Sequence, residues 1–381
     1  MKNLLLTTSF IILCSSACQQ TTEQDKVTMA KMPKENSIST INVTDSILFN
    51  IPNASISAKD VTLVYAQNRY YMIEMFGKNI HVFDEQGGFV KTLNNDSFTD
   101  SPTGIAASPS NSIVVAQGIH LAFASFDAQY IKVGQVVAKL SKKTDKFYTK
   151  YAPIPFLYNT FIDEAATSIL LPVYQTDLPS WEEDKGYYNT PLVGVFDTKT
   201  GSLKKTFGNY HSSYIAHYPT LNTLNKVSVA FNPEKNTVFI GQGATAQIQE
   251  FDIEGNLLRS FGQEGSKINT ESVLKNAQTG ENIYPKNNYF AMYYDRQAQL
   301  LQRVYFAYPP NTLSTPTTSI VNFPKYLQTY KDGKLVAEIG LPSNVITPII
   351  RADNTKVMMC KAGEQDKIVT LYTLSPSIAQ Q

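Results

Sequence analysis

The chain has 381 residues, 43% of them apolar and 17% charged, which is ample for a packed core and unlike a disordered chain. Its 33 Lys and Arg nearly cancel 32 Asp and Glu, so no basic field exists to displace counterions from a nucleic acid, and that class of partner is excluded. Tyr (22) and Phe (20) far outnumber Trp (1), a balance that suits half-buried pleated sheets.

The first element is Met1–Cys18, with a basic start at Lys2, an uncharged apolar run from Leu4 to Leu13, and small residues after it. A run of about ten residues is half the roughly 20 that a helix needs to cross a bilayer, and it fits the core of a secretory signal. The segment resembles a bacterial lipoprotein signal, with Ser16 and Ala17 ahead of an acceptor Cys18. The resemblance implies removal of residues 1–17, a diacylglycerol on the Cys18 thiol, and an exported protein anchored to a bacterial membrane. The outer membrane is expected, facing the periplasm or the surface. Ser15 stands where that family usually carries Leu, while Cys14 follows Leu13, which suits the peptidase poorly. Acyl chains hold a soluble domain at roughly 0.8 kcal/mol per buried methylene. Residues 18–38 are polar and show no period, and read as a flexible tether. With the leader gone, Cys360 is alone in the apolar run Lys356–Lys361, so no disulfide framework can be built and a buried thiol is expected.

From about residue 41 a phrase recurs: a short apolar strand ending in an aromatic, then Asp or another polar residue, a Gly-containing turn and a second strand. It stands at His81–Leu93, Gly194–Phe207 and Gln249–Phe261, with looser copies at Leu327–Ile339 and Phe123–Asp127. Gly supplies the positive φ of a tight turn, so each copy reads as a hairpin. Ahead of several lies another hairpin, as at Gly104–Val115 and Val227–Ile240. Two hairpins in series make a four-stranded antiparallel propeller blade. The expected architecture is therefore all-β, a single β-propeller over residues 39–375 with a tail at 376–381. Blades are expected at 61–93, 103–143, 154–207, 226–262, 288–340 and 345–374, six in all, with seven as the alternative. The last shows three strands, and Ser39–Asn50 is expected to supply its fourth and close the ring. Thr270–Thr279 is expected as one short helix, and Tyr289–Arg303 as a blade hairpin with its polar residues outward.

The blades and the leader together resemble the six-bladed, TolB-like propeller lipoproteins of Bacteroidota. The resemblance implies fold and location but no activity, because blade phrases serve many functions. Devices for catalysis are missing: there is no Gly-x-Ser-x-Gly elbow and no phosphate loop, and Gly241–Ala246 reads as a turn. No cofactor is expected. His81 and His120 read as ordinary strand and turn positions, and His211 with His217 lacks the further ligands a metal needs, so no metal is expected.

Recognition is expected of two insertions, since loops on a rigid scaffold carry most binding. Leu178–Asn189 holds Trp181, Tyr187 and Tyr188, and Tyr210–Tyr218 holds Tyr210, His211, Tyr214 and His217. Aromatic faces with polar tips suit a carbohydrate, a peptide or an envelope protein. The opposing reading is that these rings pack the loops onto the propeller. Asp45-Ser46-Ile47 resembles a short O-glycan acceptor pattern of exported Bacteroidota proteins, which would place a sugar on Ser46. The expected function is a lipid-anchored envelope binding or scaffolding protein. The alternative is an envelope lyase or hydrolase working in the central channel.

Overall fold

Every copy of the aromatic-Asp phrase folds as a hairpin, and each hairpin is the outer half of a small antiparallel sheet. The computed structural model describes residues 42–52, 61–74, 78–107, 112–117, 122–137, 147–149, 161–162, 167–175, 185–216, 227–266, 274–275, 282–283, 288–296, 298–307, 323–341, 347–350, 357–362 and 369–375. The expected signal, tether and tail, with Cys14 and Cys18, lie outside these residues.

After β1 (Asn42–Phe49), the first sheet comprises β2 (Val61–Ala66), β3 (Arg69–Glu74), β4 (Ile80–Phe83) and β5 (Phe89–Leu93). The second comprises β6 (Pro102–Ala107), β7 (Ile113–Gln117), β8 (Ala122–Phe126) and β9 (Lys132–Val137). The third holds β10 (Phe147–Thr149), β11 (Phe161–Ile162), β12 (Ser168–Gln175), β13 (Val193–Asp197) and β14 (Leu203–Phe207). The fourth holds β15 (Val227–Asn232), β16 (Thr237–Gln242), β17 (Ile248–Asp252) and β18 (Leu257–Phe261). A two-stranded ribbon, β19 (Leu274–Lys275) with β20 (Asn282–Ile283), precedes the fifth sheet, which is β21 (Asn288–Asp295), β22 (Leu300–Phe306), β23 (Lys325–Lys331) and β24 (Lys334–Leu341). In the last sheet β25 (Thr347–Ile350), β26 (Val357–Ala362) and β27 (Val369–Ser375) are completed by β1, in the order β1-β27-β26-β25.

The chain is thus an all-β propeller of small antiparallel sheets, closed by an N-terminal strand whose Ile47 pairs with Leu371. Phe49 carries that closure into the first sheet: it is 3% exposed and meets Tyr70 and Phe83 edge-on at 5.1 and 4.9 Å. Two expectations need correction. Five sheets are four-stranded blades, not six or seven; the segment expected as a blade at 154–207 is five-stranded. The reason is the length of β12, whose single edge takes two short strands, Phe147–Thr149 against Val173–Gln175 and Phe161–Ile162 against Ile169–Leu170. The helix expected at 270–279 is absent, because Leu274 pairs with Ile283 in the ribbon.

The core lies between sheets. In β7 alternate residues face opposite neighbours: Ile113 and Val115 join Tyr71, Ile73 and Val82 of the first sheet, whereas Val114 and Ala116 join Ile169 and Leu171 of the third. Burial on both faces explains why this strand is apolar throughout. The innermost strands follow one another, β2 beside β6 and β25, β6 beside β11, and β15 beside β21, while β15 also meets the second strand of the third sheet, β12.

The recurring phrase now has a physical reading. Register shifts at the aromatic of every copy, Phe83, Phe126, Phe196, Phe251 and Tyr330, each of which is buried. Such a bulge bends the outer strand and strengthens its twist. The Asp that follows ties the turn: Asp84 Oδ1 accepts from Gln86 N and Gly88 N at 3.0 and 2.7 Å, and Asp127 Oδ1 from Gln129 N and Ile131 N at 3.0 and 2.8 Å. Asp252 does the same with Asn256 N at 2.8 Å. Gly87, Gly201 and Gly255 take the positive φ this turn demands, and Tyr130 takes it at 60° in the second sheet. Opposite the residue before the aromatic stand Lys91, Gly134, Lys205, Arg259 and Ala337. Three of these are cations, and each reaches the corresponding turn of the next described sheet of this kind: Lys91 to Tyr130 O at 3.3 Å, Lys205 to Ile253 O at 3.0 Å, and Arg259 to Asp332 O at 2.8 Å.

Candidate functional site

Because strands alternate in direction, the connections after the second and fourth strands of each sheet emerge at one end. Both aromatic insertions are such connections, and the structure brings them together. Tyr187 and Tyr188 lie in a 3₁₀ turn, Lys185–Asn189, capped by Thr190, whose hydroxyl donates to Tyr187 O at 2.8 Å. Tyr210 precedes a single helical turn, α1 (Ser212–Ala216), and His211 caps it: its Nδ1 accepts from Ser213 N at 3.2 Å. Tyr188 stacks on Tyr214 at 5.2 Å and meets Tyr210 edge-on at 4.9 Å, while Tyr187 lies 5.4 Å from Tyr188 and 6.0 Å from Tyr210.

All four rings are buried, Tyr214 completely, and belong to the core cluster of the third, fourth and fifth sheets. They hold the insertions to the propeller. What reaches the surface is the margin of α1, with Ser212 and Ala216 exposed, Ile215 38% exposed, and His211 half-buried. Trp181 and His217 lie outside the described residues. Ser46 sits in the closing strand, paired with Tyr372. Cys360 is in β26, pairing with Leu371.

Beneath the tyrosines lies the β16–β17 turn, residues 242–247, which sequence reasoning read only as a turn. Gln242 ends β16 and bonds the arriving loop from both ends of its amide: Oε1 accepts from His211 N and Nε2 donates to Asn209 O, each at 2.9 Å. Gln117 holds the equivalent place at the end of β7, its Oε1 accepting from Thr99 N at 2.8 Å. Ala244 N donates to Tyr214 Oη at 3.0 Å. From the fifth sheet Arg303 enters the same turn. Its Nη1 donates to Ala246 O at 2.6 Å and its Nη2 to Thr245 O and Gln242 O at 2.8 and 3.0 Å, with the guanidinium 3.7 Å over the Tyr289 ring.

Arg303 corrects the expectation that polar residues of 289–303 point outward: it and Tyr289 are 0% and 1% exposed. A guanidinium is the one cation able to close three carbonyls while stacked on a ring. Burial pulls its pKa down from the ordinary value, yet it stays protonated because that value is so high. The next loop, 262–266, is pinned alongside. Gly265 N donates to Tyr289 Oη at 3.2 Å, Gln263 N to Tyr330 Oη at 3.2 Å, and Ser266 N to Glu338 at 2.9 Å. Burial lifts the Tyr330 phenol to about 12, so it remains neutral.

Away from this face, His81 stands in β4 as expected and is 3% exposed, while His120 lies outside the described residues. His81 sits between Thr92 Oγ1 at 2.8 Å and Glu74 Oε1 at 2.9 Å. A shallow cleft between the fourth and fifth sheets is lined by Glu250, Arg259, Tyr294 and Asp332. Its charges are engaged in the rim contacts, Arg259 with Glu250 and Lys235 with Asp332 at 3.4 Å. Among the described residues no three His, Cys, Asp or Glu gather as a metal site would require.

No family model and no curated protein matches the sequence. Among solved structures the chain is similar to a member of the DUF4221 family from Bacteroides vulgatus, at 12% identity and a TM-score of 0.63 over 90% of this chain and 99% of that one. It also overlaps the β-propeller domain of Myceliophteria thermophila Cps50 (Swd1), at 10% identity and a TM-score of 0.46 over 87% of this chain and 100% of that one. The likeness to the Bacteroides protein is one of fold, the propeller, over nearly the whole of both chains.

Proposed function

We propose that the chain is a lipid-anchored cell-envelope protein that binds or scaffolds a partner through the face carrying its two insertions. The observation behind this reading is the junction of those insertions. Two segments that a bare propeller does not need meet at one end, locked through four tyrosines, Gln242 and Arg303. A rigid seat of this kind presents α1 and its neighbours without mobility of their base, which lowers the ordering cost of recognition. The small polar margin around Ile215 suits an envelope protein or a peptide more than a nucleotide or a metal. Two acyl chains or more on Cys18 would hold the domain at a membrane.

Two experiments test this separately. Cys18→Ala should move the protein from the detergent phase to the aqueous phase in a phase-partition assay; retention in detergent would dispose of the anchor. A crosslinked pull-down from solubilised envelope, comparing wild type with Trp181→Ala and Ile215→Asp, should lose a partner with either change. An identical partner set for all three proteins would remove this face from consideration.

A further inference from the structure

In the first sheet the end of the second strand, the residue two before the phrase aromatic, and its partner on the outer strand are Glu74, His81 and Thr92. At the middle place the other sheets carry Ala124, Gly194, Gln249 and Gln328, so blade construction does not call for an imidazole. At the register of Glu74, Gln117 and Gln242 hold an arriving loop, whereas Glu74 takes the ring. His81 Nε2 lies 2.9 Å from Glu74 Oε1, and Nδ1 lies 2.8 Å from Thr92 Oγ1. The other carboxylate oxygen, Oε2, accepts from Asn79 Nδ2 at 2.7 Å. A carboxylate only accepts, so the neutral ring carries its proton on Nε2 and turns the Nδ1 lone pair to the threonine hydroxyl. The imidazole is buried, while Thr92 is half-buried on the outer strand.

We infer that Thr92 is a nucleophile for acyl transfer from a carboxylic ester to water, with His81 as its base and Glu74 as the residue that positions the ring. A hydroxyl, a base and an orienting carboxylate within hydrogen-bond reach of one another are the arrangement that activates an alcohol. Nδ1 faces the hydroxyl where a Ser-His-Asp triad uses Nε2, and either ring nitrogen serves as the base. In the first step the Thr92 hydroxyl proton passes to Nδ1 while Oγ1 bonds the ester carbonyl carbon. The bond to the alcohol oxygen then breaks, and the alcohol leaves with the proton returned from Nδ1. In the second step water gives a proton to Nδ1, its oxygen bonds the acyl carbon, and Thr92 Oγ1 departs and recovers the proton. The sum is ester and water to acid and alcohol, with no further reactant. An ester is the acyl donor that fits, because its alkoxide leaves far more readily than the amine of an amide. This inference is independent of the insertion face.

The test uses p-nitrophenyl acetate with the full-length protein in mild detergent, and a fluorophosphonate label located by tandem mass spectrometry. Turnover is expected, with the label on Thr92. Thr92→Val keeps the shape and loses the hydroxyl; it should abolish the label and lower kcat/KM by about a hundredfold or more, and Thr92→Ser should restore both. Glu74→Gln should lower kcat by about tenfold with KM unchanged, because the ring loses the partner that holds its tautomer. A purely structural Glu74 would change the melting temperature and leave kcat of the folded protein as it was. The wild-type label needs no variant, so an unstable Thr92→Val leaves the test intact. No turnover and no label in the wild type, a label on another residue, or equal rates for wild type and Thr92→Val would overturn the inference.

Discussion

Replacing Arg303 by Leu gives the most informative test of how the candidate face is held. The change removes three hydrogen bonds, to Gln242 O, Thr245 O and Ala246 O, and the stack on Tyr289. Losing these three hydrogen bonds to a charged donor costs about 1 kcal/mol each at the low end. Loss of the ring contact adds about 1–2 kcal/mol. Against this, the leucine no longer requires a charge to be desolvated, which returns about 1–2 kcal/mol. The net expectation is a loss of about 3 kcal/mol, or a fall of about 4 °C in melting temperature for a domain of this size. Lysine should do no better than leucine. It keeps the buried charge but replaces a flat fork by a point donor that cannot close three carbonyls and lie on a ring. Calorimetry or urea unfolding followed by tyrosine fluorescence measures both. If Arg303→Leu lies within about 1 kcal/mol of wild type, the guanidinium is not what ties the fifth sheet to the turn, and the account of a rigid seat fails.

Other outcomes follow from single contacts. Gly262 has φ +131° and a Cβ there would lie 2.0 Å from Ala246 O, so Gly262→Ala should cost at least about 3 kcal/mol in unfolding free energy; a neutral alanine would mean that the 262–266 loop sits otherwise. Phe49→Ala should cost about 3–5 kcal/mol, since it removes a buried ring that joins the closing strand to Tyr70 and Phe83. A cost under 1 kcal/mol would indicate that closure does not depend on that ring. Asp197 is held down to about 2, first by the Thr200 N–H and then by the Thr200 hydroxyl and Lys204. Its folded pKa lies below the unfolded one of about 3.9, so its contribution is present above pH 4 and lost as pH falls toward 2. The stability gap between wild type and Asp197→Ala should therefore narrow across that window in denaturation at graded pH; a gap that widens on acidification would reverse the assignment.

Much of the architecture was legible along the chain because it is built from local rules. The aromatic-Asp-turn phrase is a bulge followed by a side-chain-tied turn, and both devices act within a few residues. The extent of the blade at 61–93 and the pairing of the segment around Asn42–Phe49 with the C-terminal strands could be anticipated from the same rules. A tyrosine in an insertion, by contrast, looks alike whether it faces a ligand or a core. Burial of Tyr187, Tyr188, Tyr210 and Tyr214 was decided by which loops emerge at the same end, a property of strand direction summed over two sheets. Arg303 was harder still. In the sequence it is one cation in a strand, and nothing near it hints at three carbonyls contributed some 60 residues earlier in the chain. Local sterics and hydrogen bonds write hairpins into short segments, whereas the burial of a charge depends on the surfaces that distant segments bring to it.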